Sequence, residues 1–368
     1  MRQTLFLQDI LNTPRSLHKT LTRIGDQADV LARALLTGGA RRLVAVGNGT
    51  SYYASAASVY LHNALVAPTG TLAWAVPTGD FSLYPAPLST RDVLIGVSVS
   101  GEVVDLLDLF ERLHGSHQLV GLSGVAGSSL TRLVDHALVM DAGPSLVPTS
   151  TKTFVASVAA LDLLWLGLLA AQGVEAATDL RRQLVTLPEA VEHSLAHAHA
   201  QVDAAAERLA ACERVFVCGA GPALAVAQEA ALVFKEVANL PAEAAQTREM
   251  AHGITAVVDH TVGVIVVNPP GRGQTAGRQV LAQCAELGAV TVEIGVAPAG
   301  IRVDVACHEL LAPLIYGGPL FMLANALGLR RGIDTDHPHW EAGYLRAARR
   351  GADHGPVTTG PGGSRTGG

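Results

Sequence analysis

The chain reads as one unit written twice. VAVGNGTSYYASAASVYL begins at Val44 and VFVCGAGPALAVAQEAAL at Val215, 171 positions apart. Each is a β-branched run, a glycine-bearing turn and a small-residue helical pattern. LVGLSG from Leu119 and VTVEIG from Val290 recur at the same offset of 171, and VLIGVSVSG from Val93 pairs with VGVIVVNPP from Val262 at 169. Strand runs that are apolar throughout and alternate with helices are the mark of a parallel sheet covered on both faces. Three such strands, matched in order at nearly one spacing, predict an α/β fold. It consists of two tandem doubly wound parallel-sheet domains of flavodoxin-like type, with a ligand site where the halves and strand ends meet.

The organisation follows from this. Residues 1–35 read as a helical lead-in, 36–174 as the first α/β domain and 175–212 as a helical, Ala-rich linker. Residues 213–350 read as the second domain with its C-terminal segment, and the Gly/Pro-rich stretch 351–368 as a disordered tail. Val155–Val174 carries Asp162 as its only charge and just reaches the length of a membrane span. A single Ala-rich segment between α/β signals reads instead as a central buried helix.

Composition excludes some functions. A net charge of −6 with no basic cluster argues against nucleic acid. The four cysteines, Cys212, Cys218, Cys284 and Cys307, form no CxxC pair and match no zinc spacing, so they read as reduced cysteines of a cytoplasmic protein. His193 and His197 stand at i, i+4, but without a carboxylate motif beside them they read as a solvated helix face. No metal, membrane or cofactor is expected.

The chemistry-bearing segments lie at helix starts. Gly47-Asn48-Gly49-Thr50-Ser51 follows a strand and opens a helix, where hydroxyls and free N–H groups present donors to an anion. It is not GxGxxG and no P-loop lysine follows, so dinucleotide and nucleoside triphosphate readings are poor. Ser98-Val99-Ser100-Gly101-Glu102 repeats the device on a second strand, and Thr149-Ser150-Thr151-Lys152-Thr153 precedes the long apolar helix. Three ordinary N-caps are the alternative to a phosphate grip. The second half lacks these hydroxyls, having Gly219-Ala220-Gly221-Pro222 and Asn268-Pro269-Pro270-Gly271 instead. It offers EAALVFKEVANLPAEAAQTREMAHG from Glu229, in which Lys235 and Glu236 precede Glu243, Glu249 and His252. A carboxylate and a histidine near a phosphosugar can move protons at carbon and at a ring oxygen. By residue type alone, Glu236 with Lys235 reads equally as a surface ion pair.

These residues resemble the SIS (sugar isomerase) domain proteins with two tandem copies, in particular the isomerase half of glucosamine-6-phosphate synthase and related phosphosugar deaminases, deglycases and isomerases. The matching segments are GNGTSYYASAAS, SVSGE, TSTKTF, GAGPALAVAQEAALVFKEV, AEAAQTREMAHG and APLIYGGPLFMLANALGLRRGIDTDHP. The resemblance implies that Ser51, Ser98, Ser100 and Ser150, with Thr50 and Thr151 beside them, bind a sugar phosphate. Glu236 falls where the isomerising base sits, and His252 where a ring-opening histidine is delivered from the neighbouring subunit of a homodimer. The implied activity is aldose–ketose isomerisation of a hexose or hexosamine 6-phosphate, with or without release of an amine.

This sequence departs from that pattern. No glutaminase domain and no N-terminal cysteine nucleophile stand before the first copy, so glutamine-derived ammonia is not expected. Val103 replaces the usual threonine after SxSGE, and Val233 replaces a lysine. No lysine follows Asp334-Thr335-Asp336-His337-Pro338-His339-Trp340, which leaves His337, His339 or Glu341 as substitutes. The losses favour enolisation over a Schiff base. A phosphosugar sensor without catalysis is the competing reading. Trp74, Trp165 and Trp340 are too scattered in sequence to indicate sugar stacking.

Overall fold

The apolar runs at the head of each copy become the central strands of two separate five-stranded sheets. The computed structural model describes residues 3–67, 70–297 and 300–340; the tail 351–368, the end of the second predicted domain and Glu341 lie outside them. Two helices lead in, α1 (Leu5–Leu11) and α2 (Thr13–Thr37). The first sheet is built from β1 (Arg42–Gly47), β2 (Leu72–Pro77), β3 (Asp92–Ser98), β4 (Gln118–Ser123) and β5 (His136–Val139), all parallel. Helices α3 (Thr50–Leu65), α4 (Thr78–Leu83), α5 (Val104–Leu113) and α6 (Ser129–Leu133) connect its strands. Helices α7 (Lys152–Ala171) and α8 (Glu175–Leu209) follow.

The second sheet comprises β6 (Arg214–Gly219), β7 (Ala242–Gln246), β8 (Val262–Asn268), β9 (Val290–Gly295) and β10 (Ile301–Arg302). Helices α9 (Pro222–Ala238), α10 (Gln274–Glu286) and α11 (Pro313–Arg330) flank it. The strand orders are β2-β1-β3-β4-β5 and, read from the matching edge, β7-β6-β8-β9-β10. The two copies therefore share one topology, the doubly wound order with its switch point between the first and third strands.

The repeat extends to backbone angles. Gly49, before α3, has φ 50° and ψ −126°; Gly221, before α9, has φ 56° and ψ −130°. Positive φ of this kind is open to glycine and costly for other residues, so both copies spend a glycine to turn from strand to helix in the same way.

The edge strands β2, β5, β7 and β10 were not legible as strands. β2 is largely half-buried, β7 is AEAAQ without a β-branched residue, and β10 has two residues. Backbone pairing to a strong neighbour places them where side-chain pattern does not.

The core lies between the copies. α7 is long and apolar enough to cross a membrane by composition, yet Lys152 through Leu169 are buried within the protein. It packs on α2, α3, α8 and α11, so its all-round hydrophobicity is that of a central helix. Cys212, Cys218 and Cys284 are buried, Cys307 is half-buried, and all four are free thiols.

Candidate active site

A cavity of about 280 Å³ opens at the C-terminal edge of the first sheet, at the β1/β3 switch point. Five of the predicted hydroxyl residues, Thr50, Ser51, Ser98, Ser100 and Ser150, line it together with Glu236. Three loops and one helix of the second copy thus converge as the sequence pattern anticipates.

Each loop is held by its own bonds. At the first, Asn48 accepts from the Thr78 N–H (3.2 Å) and donates to Asp105 (2.6 Å), fixing the turn that starts α3. At the second, Ser98 Oγ accepts from the Gly101 N–H (3.0 Å) and Ser100 Oγ from the Glu102 N–H (3.3 Å). Glu102 turns away from the cavity and accepts from the Ser129 N–H at 2.8 Å, tying the loop to α6. Gly101 has φ 69°, and a Cβ there would stand 2.1 Å from Ser128 Oγ, so the loop needs glycine on both counts. Val103 precedes α5 without a side-chain cap and presents an apolar wall where a threonine would offer a hydroxyl.

At the third loop the structure departs from expectation. Thr151 is fully buried, off the cavity wall, and its hydroxyl donates to Asp9 Oδ2 at 2.6 Å. Lys152 is also turned inward, pairing with Asp9 and donating to the Pro144 carbonyl at 2.7 Å. The Leu146 N–H donates to the same carboxylate at 2.9 Å. The buried carboxylate of α1 draws these donors in because a charge removed from water needs them. Ser150 and Pro148 remain on the cavity side.

As a result, Glu236 is the one ionisable side chain among the described cavity-lining residues. Among the described lining residues the donors available to an anion are hydroxyls and backbone N–H groups at helix starts, and none is a lysine or arginine. Burial pushes the Glu236 carboxyl up to about 7, against the opposing effects of the Thr149 hydroxyl and Lys235. Lys235 itself is exposed.

Two turns earlier on α9, Glu229 is fully buried. Its carboxyl is pushed well above the usual carboxylate range by burial, then by the charge of Glu236, with the Thr50 hydroxyl acting in the opposite sense. Val233, between the two acids, is buried as well, so no cation stands where a lysine would neutralise them. The sequence signal for Glu229 was its seven-residue spacing from Glu236, two turns on one face of an apolar helix.

The remaining candidates lie elsewhere. His252 is exposed, at the end of the short 3₁₀ turn Glu249–Ala251 after β7, and is not on the cavity wall of its own chain. His337 and His339 are exposed and also off the wall. The residue of that segment that does line the cavity is Trp340. His193 and His197 lie on the exposed face of α8, ring centroids 4.1 Å apart. Among the described residues no three His, Cys, Asp or Glu side chains cluster as a metal site.

The matching edge of the second sheet is nearly closed, leaving about 20 Å³ beside Thr247, Asn268 and Glu309. Glu309 fills this edge itself. Its carboxylate accepts from the Arg272 N–H at 2.7 Å and meets the Arg272 side chain at 3.2 Å. The two switch points thus differ in structure as their turns differ in sequence: one is an open cavity, the other nearly closed.

Two tandem doubly wound sheets with one hydroxyl-lined switch-point cavity define a class, and comparison with known proteins gives it a name. The chain belongs to the SIS domain family, whose model matches residues 39–167 and 208–298. Among curated relatives, the glutamine–fructose-6-phosphate aminotransferase (isomerizing) of Pyrobaculum aerophilum is 32% identical over 348 residues, covering 90% of this chain and 56% of the relative. That of Gloeobacter violaceus is 30% identical over 351 residues, covering 90% and 57%. The chain thus spans little more than half the length of these relatives.

Among solved structures, the C-terminal domain of glucosamine-fructose-6-phosphate aminotransferase from Francisella tularensis superposes with a TM-score of 0.83 at 22% identity, covering 92% of this chain and 99% of that one. Glucosamine-6-phosphate deaminase from Thermotoga maritima gives 0.73 at 19%, covering 91% and 98%. These likenesses establish the fold.

Proposed function

We propose that this protein is an enzyme that isomerises a hexose or hexosamine 6-phosphate by enolisation, with Glu236 as the base and no cofactor. The observation that carries the reading is the placement of Glu236. It is a carboxyl near pH 7 in ionisation, facing three hydroxyl-bearing turns across one small cavity. The names of the relatives point to the same substrate class.

In this reading the phosphate sits on Thr50, Ser51, Ser98, Ser100 and Ser150. The carboxylate of Glu236 takes the proton from C2 of the open-chain aldose, leaving an enediol, and returns it to C1 to give the ketose. With an amino sugar the intermediate is the enolamine, whose hydrolysis to the ketose releases ammonia. A base that is half ionised near neutral pH combines availability with proton affinity. His252, exposed and off the cavity of its own chain, fits delivery to a partner subunit's site in a homodimer, where it would open the sugar ring.

Glu236→Gln tests this directly. The expected outcome is loss of turnover with fructose 6-phosphate or glucosamine 6-phosphate and retention of binding by thermal shift. Normal turnover in that variant would remove Glu236 from the mechanism. Sugar-phosphate binding without turnover in the wild type would favour a sensor, the reading that Val103 and Val233 support.

A further inference from the structure

Trp340 lines the cavity from a segment of the chain that belongs to none of the hydroxyl loops. It stands at the end of the segment after α11, and that segment is fastened. Thr335, buried, donates to Asn325 Oδ1 at 2.8 Å, and Asp336 accepts from the Phe6 N–H of α1 at 2.8 Å. Asp334 accepts from the N–H groups of Asp336 and His337 at 3.0 and 3.3 Å. Through these bonds the lead-in helix and α11 together carry a half-buried indole to the cavity wall, while His337 and His339 point to solvent.

The cavity lining combines two chemistries: Thr50, Ser51, Ser98, Ser100 and Ser150 supply hydroxyls, while Val97, Leu232 and Trp340 add apolar surface. An indole face carries the negative lobe of its quadrupole, which disfavours a phosphate dianion and suits the C–H face of a sugar. At about 280 Å³ the cavity lies just below the usual span of ligand sites, roughly 300 to 1,000 Å³. It therefore suits one monosaccharide phosphate.

We propose that Trp340 is a specificity-determining residue whose indole packs on the carbon skeleton of the bound sugar, while the hydroxyl loops hold the phosphate. This rests on the phosphosugar reading above. It replaces the expectation that three scattered tryptophans say nothing about sugar binding: one of them stands at the cavity.

The test is titration of wild type, Trp340→Ala and Trp340→Phe with glucosamine 6-phosphate, fructose 6-phosphate and inorganic phosphate. Trp340→Ala is expected to weaken both sugar phosphates roughly tenfold and leave inorganic phosphate unchanged, with Trp340→Phe retaining most of the affinity. Tryptophan emission reports independently, because Trp165 is buried in the core and Trp74 lies on β2, neither lining the cavity. A sugar phosphate is expected to change emission in the wild type and not in Trp340→Phe. Unchanged affinities and an unchanged emission response in the variants would overturn the role of Trp340 and leave the phosphosugar site standing. Equal weakening of sugar phosphate and inorganic phosphate would assign the indole a structural role only. Failure of the wild type to bind either sugar phosphate would overturn both readings.

Discussion

The Thr50 hydroxyl donates to the buried Glu229 carboxyl at 2.9 Å, joining the start of α3 in the first copy to the middle of α9 in the second. The bond puts a cavity-lining residue under the control of the opposite half. Among the described residues Glu229 Oε2 is buried with no hydrogen-bond partner, which fits a carboxyl whose pKa burial raises. Glu229→Gln, a neutral mimic of the protonated form, is therefore expected to fold with near-normal stability. Thr50→Ala is expected to cost about 1 kcal/mol. A double-mutant cycle of Thr50→Ala with Glu229→Leu, which removes the acceptor that Gln would keep, is expected by urea denaturation to show coupling of roughly 0.5–1.5 kcal/mol. Zero coupling would mean that this hydrogen bond adds nothing to the packing of the two halves.

The ionisation of Glu236 gives a pH signature in two observables. Turnover needs the carboxylate, so kcat/KM is expected to rise with pH through about 7 and then level. Stability moves the other way. Between its ordinary value of 4.5 and about 7 the folded protein holds a proton that the unfolded chain has released, so stability falls as pH rises through that window. Glu236→Gln is expected to remove this contribution and to be more stable than wild type above pH 7. An activity limb centred near 4.5 would contradict the buried setting of this carboxyl.

Delivery of His252 across a dimer is tested by complementation. Glu236→Gln and His252→Ala are each expected to be inactive alone. If the histidine serves the partner's site, mixed dimers hold one site with both wild-type residues, and random assortment restores activity to about one site in four. A histidine serving its own chain gives no recovery, because no mixed site is then intact.

Asp9 organises the third hydroxyl-bearing loop without lining the cavity. Its carboxylate accepts from the Leu146 N–H and from Thr151, and pairs with Lys152, which is only 2% exposed. Asp9→Ala leaves that cation buried and unpaired, a loss of about 3–5 kcal/mol. The paired substitution Asp9→Leu with Lys152→Met is expected to recover stability while still weakening phosphate binding, because Leu146 and Thr151 lose their acceptor. Recovery of both would show that Ser150 is positioned by other contacts.

What the sequence made legible, and what it hid, divides by range of interaction. The repeat, the central strands and the hydroxyl turns were readable because each is a local pattern of apolar period, glycine and helix start. The roles of Thr151 and Lys152 were not, because they depend on Asp9, more than 140 residues away in the chain. Trp340 was dismissed for the same reason: its place at the cavity is made by bonds to α1 and α11. Glu229 was in view, but the rise of its pKa comes from burial and from the charge of Glu236, against the Thr50 hydroxyl, a fact of packing rather than of motif.

Asp162, the single charge in α7, is fully buried, and neither carboxylate oxygen has a hydrogen-bond partner among the described residues. Burial raises its pKa well above the ordinary 3.8. The sign is the same as for Glu236. Above pH 3.8 the unfolded chain sheds a proton that the folded protein keeps, so stability falls as pH rises. Asp162→Asn removes the titration and keeps the shape. The variant is expected to match wild type near pH 4 and to become progressively more stable above it, by about 1.4 kcal/mol per pH unit until the folded carboxyl ionises. Urea denaturation of both proteins at pH 4, 6 and 8 reads the gap. A constant gap would mean that Asp162 is ionised and solvated in the folded protein, and that α7 admits water to its centre.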